Sequence, residues 1–405
     1  MTDVTKRFLS YVAVGTNSDE ECESCPSSPA QLVLGRQIAE DMESIGLEDV
    51  RVDEHGYVYG YLPGAGSMKD APALGFISHM DTSSSVPGDN IKPSIVKYEG
   101  GDIPLACGTN SITTAMFPML PGLKGEELIV TDGTTLLGAD DKAGVAEILT
   151  ACERLIASGE AHRPIAVGIT PDEEIGRGAD LFDVKGFPAK EAYTVDGGPV
   201  GEIEYENFNA ASFKLCVHGV NIHPGAAKDR MKNAVLMANS FISMLPPAET
   251  PSHTEGYEGF YHVMGISGDE TLCTVVGLIR DHDRASFEHR KKAIAELAAY
   301  LDTVWGEGSF ELTVKDSYFN MKEKILPHMH LITNAEEAFR AEGITPVSVP
   351  IRGGTDGARL SYEGLPCPNL STGGYGFHSC VEFIPVSSLD KMVKVIMRLS
   401  KQTQK

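Results

Sequence analysis

Short apolar runs that stop at polar or glycine-containing turns alternate along this chain with stretches whose apolar residues recur every third or fourth position. The runs in APALGFISHMD, RPIAVGITPDEE and EAYTVDGG are brief and flanked by breakers, which predicts buried strands. Between the first two, KAGVAEILTACERLIAS carries helical spacing, and the opening MTDVTKRFLSYVAV reads as a first helix. Strands alternating with helices predict an α/β fold, a sheet with helices on both faces. In such sheets chemistry gathers at the carboxyl ends of the strands.

The pattern changes in the middle of the chain. ASFKLCVHG, TLCTVVGLIRD and SFELTVKDSYFN read as strands, whereas KNAVLMANSFISML and ASFEHRKKAIAELAAYLDTVWG have helical periodicity. That α+β stretch suits a small antiparallel sheet backed by two helices. The α/β pattern resumes with LITNAEEAFRAEG and the glycine-rich RGGTDGA, and closes on an amphipathic helix near SSLDKMVKVIMRLS. The expected organisation is a discontinuous catalytic domain, residues 1–208 and 318–405, interrupted by an inserted domain at 209–317. A length of 405 residues agrees, since it exceeds what one hydrophobic core usually supports.

Composition narrows the partners. A net charge of −23 excludes nucleic acid, whose phosphates need a basic surface, and repels anionic membranes. No apolar run is long enough to span a bilayer, and the amino-terminal stretch lacks a cleavage pattern, so a cytoplasmic protein is expected. Six of the eight cysteines have no close cysteine neighbour, and Cys22 and Cys25 form a lone C-x-x-C in an acidic loop. That is no disulfide framework, and reduced thiols are expected.

Candidate chemistry sits where strands end. His79 and Asp81 are two apart, so both side chains leave the sheet on the same side, where a carboxylate could orient a metal-binding imidazole. A surface histidine beside a solvated acid would look the same. In GADDKAG, Asp140 and Asp141 abut and repel unless a cation or helix terminus neutralises them; Asp141 could be a helix cap, and Asp140 a bridge between two metals. Glu173 and Glu174 follow another strand and point apart, so one could ligate while the other acts as general base, unless the pair is a solvated acidic turn. Asp196 in AYTVDGG and His378 in TGGYGFHS complete the set. Singly each is bland; together two histidines and three carboxylates suffice for two zinc ions sharing one carboxylate.

These segments resemble the co-catalytic zinc exopeptidases, the family that includes carboxypeptidase G. Its shared marks S-H-x-D, G-x-D-D/N-x-x-G, D-E-E-x-G and H-P-G stand here as SHMD, GADDKAG, DEEIG and HPG. Longer blocks, TVDGGPVGEIEYENFNAASF, HTEGYEGFYH, IRDHDRASFEHRKK, SYFNMKEK and PIRGGTDGARLSYEGLPCPN, are similar to one branch of that family, aminopeptidases acting on tripeptides. The resemblance implies a mixed-sheet catalytic domain with an inserted ferredoxin-like lid through which two copies pair as a homodimer. It implies two zinc ions, with Co2+ or Mn2+ also admissible: His79 and Asp196 on one, Glu174 and His378 on the other, and Asp140 bridging. Asp81 would orient His79, Glu173 would be the general base, and the peptide bond after Asp140 would be cis. His223 would stabilise the tetrahedral oxyanion, in its own or a second copy's site, and Arg280 and Arg352 are candidates to grip the carboxylate of a short peptide substrate. A dipeptidase, carboxypeptidase or amino-acid deacylase would keep the same zinc shell. The branch usually follows its last histidine with Gly-Lys, whereas this chain has Ser379 and Cys380.

Overall fold

Every residue of LGFISH and IAVGIT is buried, as a strand covered on both faces must be. The computed structural model, which describes residues 1–402, sets these two runs side by side and parallel at the centre of an eight-stranded sheet. Its strands are β1 (Glu48–Val52), β2 (Val58–Leu62), β3 (Leu74–His79), β4 (Ile165–Thr170), β5 (Ala192–Gly197), β6 (Glu202–Glu204), β7 (Val347–Ser348) and β8 (Asn369–Ser371). They run in the order β1-β2-β4-β3-β5-β8-β6-β7. The sheet is mixed: β4, β3, β5 and β8 are mutually parallel, while β1, β2 and β6 pair antiparallel to their inner neighbours.

The helices around it are α1 (Asp3–Val12), α2 (Pro29–Ile45), α3 (Ala139–Ser158), α4 (His330–Ala341), α5 (Asp356–Tyr362) and α6 (Val386–Leu399). Helix α3 is buried along most of its length and packs on β3, β5, α1 and α6. Gly144 permits this, because a Cβ there would stand 2.0 Å from the Val195 carbonyl oxygen on β5. Helix α6 buries Leu389, Met392, Val393, Ile396 and Leu399, an i, i+3, i+4 stripe. Ahead of α3, the run LIVTDGTTLLG is apolar at both ends. Only Glu127–Val130 is a strand, and it joins Ser94–Lys97 and Phe383–Pro385 in a separate three-stranded sheet.

The chain divides into two units. The sheet and helices above form the first, built from Met1–Tyr205, Glu323–Val349 and the segment from Thr355 onward. The second comprises Glu206–Lys322 and Pro350–Gly354. It has strands Asn209–His218, Phe260–Gly268, Leu272–Asp281 and Phe310–Tyr318 and long helices Ala234–Met244 and Arg284–Trp305. Its sheet is antiparallel throughout, with the second strand outermost, then the third, first and fourth, which is the ferredoxin-like arrangement. Phe213, Leu215, Phe241, Val275, Ile279 and Phe287 form part of its core. No helix among the described residues is long and apolar enough to cross a membrane.

Candidate metal centre

Five side chains from five separate points of the first unit converge. His79 is the last residue of β3, Asp140 lies in the first turn of α3, Glu174 follows β4, Asp196 is in β5, and His378 follows β8. Ligand atoms of His79, Asp140 and Asp196 lie within 4.8 Å of one another, as do those of Asp140, Glu174 and His378. Asp140 belongs to both groups and divides its oxygens between them: Oδ1 is 3.0 Å from His79 Nε2, and Oδ2 is 3.0 Å from His378 Nε2. Asp196 Oδ1 is 3.3 Å from His79 Nε2, and Glu174 Oε2 is 2.9 Å from His378 Nε2.

The local backbone explains how neighbouring acids come to serve different ends. The Asp140–Asp141 peptide bond is cis, and both residues depart from helical angles. The Asp141 side chain does not cap α3: it is fully buried, its Oδ2 accepts the His79 backbone N–H at 3.1 Å and its Oδ1 meets no partner among the described residues. Asp172 takes a left-handed conformation and is tied down by Ser27 and Gln31, which fixes the turn that carries Glu173 and Glu174. Asp81 does more than its spacing suggested. His79 Nδ1 lies 3.0 Å from its backbone oxygen and 3.3 Å from its Oδ1, while its carboxylate accepts the N–H groups of Glu173 and Glu174 at 3.0 and 3.2 Å.

Sequence reasoning missed two further acids. Glu382 is buried and accepts N–H groups from Leu137, Gly138 and Asp140 at 2.6, 2.8 and 3.1 Å, clamping the loop that presents Asp140. Its signal was an acid inside the apolar run VEFIPV. Asp356, in the glycine-rich GGTDG segment, is buried and accepts from Thr170 Oγ1 at 2.8 Å.

The electrostatics call for a cation. Burial alone would strip the proton from His79, but Asp196, Asp140 and Asp81 outweigh it and hold its pKa well above the ordinary value. Bonds to Asp140 and Glu174 push His378 up to about 10. Burial opposes ionisation of Asp140 too, yet its bonds to His378 and His79 prevail and keep it below the ordinary range. The remaining acids go the other way. Burial raises Asp196 to about 6, and burial together with the Asp140 charge raises Glu174 to about 7. Glu173 is raised by burial and by Asp196. Glu174 Oε1 is buried with no hydrogen-bond partner among the described residues. Two histidines cannot neutralise this carboxylate density, whereas a pair of divalent cations with N and O ligands would fit it.

The other expected residues lie in the second unit. His223 is exposed, and its Nδ1 accepts from Gly225 N–H at 3.2 Å, which leaves Nε2 as the donor nitrogen. Arg280 donates from Nη1 to the Arg352 carbonyl at 3.0 Å, and its Nε is buried without a partner among the described residues. Arg352 is held within the second unit. Its two terminal nitrogens are engaged with Gly256, Glu258 and Thr254, and its guanidinium stacks over Phe208 and Phe260. Through its terminal nitrogens Arg352 braces the 254–258 loop of its own unit.

Residues 205–309 match the peptidase dimerisation domain family. Over 403 residues, 99% of each chain, the sequence is 52% identical to peptidase T of Clostridium perfringens strain 13, and over 98% of each chain it is 51% identical to peptidase T of Halothermothrix orenii. Among solved structures it is similar to aminopeptidase PepT of Bacillus cereus (TM-score 0.77, 24% identity, 98% of this chain and 97% of that one). It is also similar to a tripeptidase of Staphylococcus aureus (TM-score 0.78, 23% identity, the same coverage). A dinuclear metal-binding M20 peptidase of Bacillus subtilis shares the fold at a TM-score of 0.64 and 13% identity, over 98% of this chain and 96% of that one.

Proposed function

The chain belongs to the peptidase T family, and from that premise we propose that it is a metal-dependent aminopeptidase that releases the amino-terminal residue of tripeptides at two zinc ions. The observation that carries this reading is Asp140, whose two oxygens face two separate ligand groups, His79 with Asp196 and Glu174 with His378. Bound there, the metals would supply Lewis acidity and a water whose pKa is lowered toward neutrality.

The chain's own residues do the rest. Glu173 stands beside this cluster without serving in either group, and its raised pKa suits a base that takes a proton from the attacking water and hands it to the leaving amine. Asp81 holds His79 and the Glu173–Glu174 turn from one carboxylate, so it keeps ligand and base in a common frame. His223 is assigned to the developing oxyanion and Arg280 to the peptide's terminal carboxylate, both on the family resemblance. The match at 205–309 supports pairing of two copies through the second unit. Eight free cysteines support a reducing, cytoplasmic setting.

A panel of peptides tests the reading. Zinc-loaded enzyme should cleave free tripeptides to an amino acid and a dipeptide, and should act far more slowly on dipeptides, longer peptides and amino-terminally blocked tripeptides. Equal rates on the blocked substrates, or release of the carboxyl-terminal residue, would point to a deacylase or carboxypeptidase instead.

A further inference from the structure

A second assembly of metal-ligating side chains lies away from this centre. Glu191, His328 and His330 offer ligand atoms that all fall within 4.8 Å of one another. We propose that these three residues form an additional zinc site, which ties the start of β5 to the start of α4. It goes beyond the reading above and does not depend on it.

Position separates the two sites. Glu191 immediately precedes β5 and Asp196 lies near its far end, so at about 3.3 Å per residue they stand about 16 Å apart. The donor set is one carboxylate and two imidazoles, a combination that suits Zn2+ and leaves a coordination position for water.

The carboxylate is already divided in the manner a ligand needs. Glu191 is 5% exposed, and its Oε1 faces the buried Arg163 guanidinium at 3.3 Å while its Oε2 faces His330 Nε2 at 2.7 Å. Arg163 also donates to the carbonyls of Pro72 and Ala73, so it orients one oxygen without occupying the other. His328 ends the turn Leu326–His328 and His330 begins α4, with ring centroids 6.0 Å apart. Tyr193 of β5 donates from its hydroxyl to the Leu331 carbonyl at 2.6 Å, which holds the two backbones together before any ion arrives. Zinc would take the place of the hydrogen bond between His330 Nε2 and Glu191 Oε2, with the neutral imidazole keeping its one proton on Nδ1.

The test uses the full-length enzyme equilibrated with micromolar Zn2+, crystallised and examined by anomalous scattering at the zinc edge, with bound zinc counted in solution. The expected result is an anomalous peak between Glu191, His328 and His330, and one zinc per chain that is lost in both His328→Ala and His330→Gln while peptide turnover is retained. Absence of that peak in the wild type, or persistence of that zinc in both variants, overturns the proposal. Failure of the paired centre would show elsewhere, as missing peaks beside Asp140.

Discussion

At the scale of the residue, the centre depends on acids made to differ by their surroundings. Glu173→Gln removes the proposed proton acceptor and leaves the five converging side chains in place, so zinc content should be unchanged while kcat falls by roughly 10²–10⁴-fold. Metal analysis beside steady-state kinetics checks both halves. Glu382 offers a subtler case, because three N–H groups point at its carboxylate and an amide would turn one acceptor into a donor. Glu382→Gln should weaken zinc binding by about 10–100-fold, read by competition with a chelating dye. Of the residues that converge, His79, Glu174 and Asp196 were legible because each closes or closely follows an apolar strand. Glu382 and Asp356 were not: each meets its partners across a long stretch of sequence, and a lone acid in an apolar or glycine-rich run does not say which backbone it will serve.

At the scale of the element, periodicity gave α3, α6 and the central strands, because burial on one or both faces writes itself into spacing. It failed where backbone irregularity intervenes. Strand Phe260–Gly268 carries two glycines and a register shift between Val263 and Gly265, which breaks the alternation that would have revealed it. Helix α3 also carries a feature no pattern predicts. Glu147 is fully buried, and neither carboxylate oxygen meets a hydrogen-bond partner among the described residues. Burial, reinforced by Asp141, raises its pKa well above the ordinary glutamate value of 4.5. The folded state therefore holds this proton more tightly than the unfolded chain does. Stability from this group is complete below the ordinary value and declines as pH rises above it. Glu147→Met should raise the melting temperature by a few degrees at pH 8 and by less at pH 5, in line with about 1–3 kcal/mol for an unsatisfied buried polar group. A calorimetric pH series in which the variant tracks the wild type in parallel would contradict it.

At the scale of the whole molecule, one unit carries the converging acids and histidines and the other is inserted into it. Because all five converging residues proposed as ligands belong to the first unit, removing metal should destabilise that unit selectively. With free zinc at about a hundred times its Kd, occupancy contributes about 2.7 kcal/mol. Scanning calorimetry with and without chelator should show the transition of the first unit moving to lower temperature and that of the ferredoxin-like unit staying in place; a common shift of both would argue against it. The two-part division was readable from the change of pattern in mid-chain, whereas the return of Pro350–Gly354 to the second unit was not, since five residues carry no periodicity. The strand order adds a consequence for biosynthesis. Strand β8 lies between β5 and β6 yet is translated more than 160 residues after them, so a nascent chain that has emerged as far as Tyr205 presents β5 with a bare hydrogen-bonding edge. Throughout synthesis of the inserted unit that edge is open to other chains, and ribosome-bound intermediates of this length are where a chaperone would be needed most.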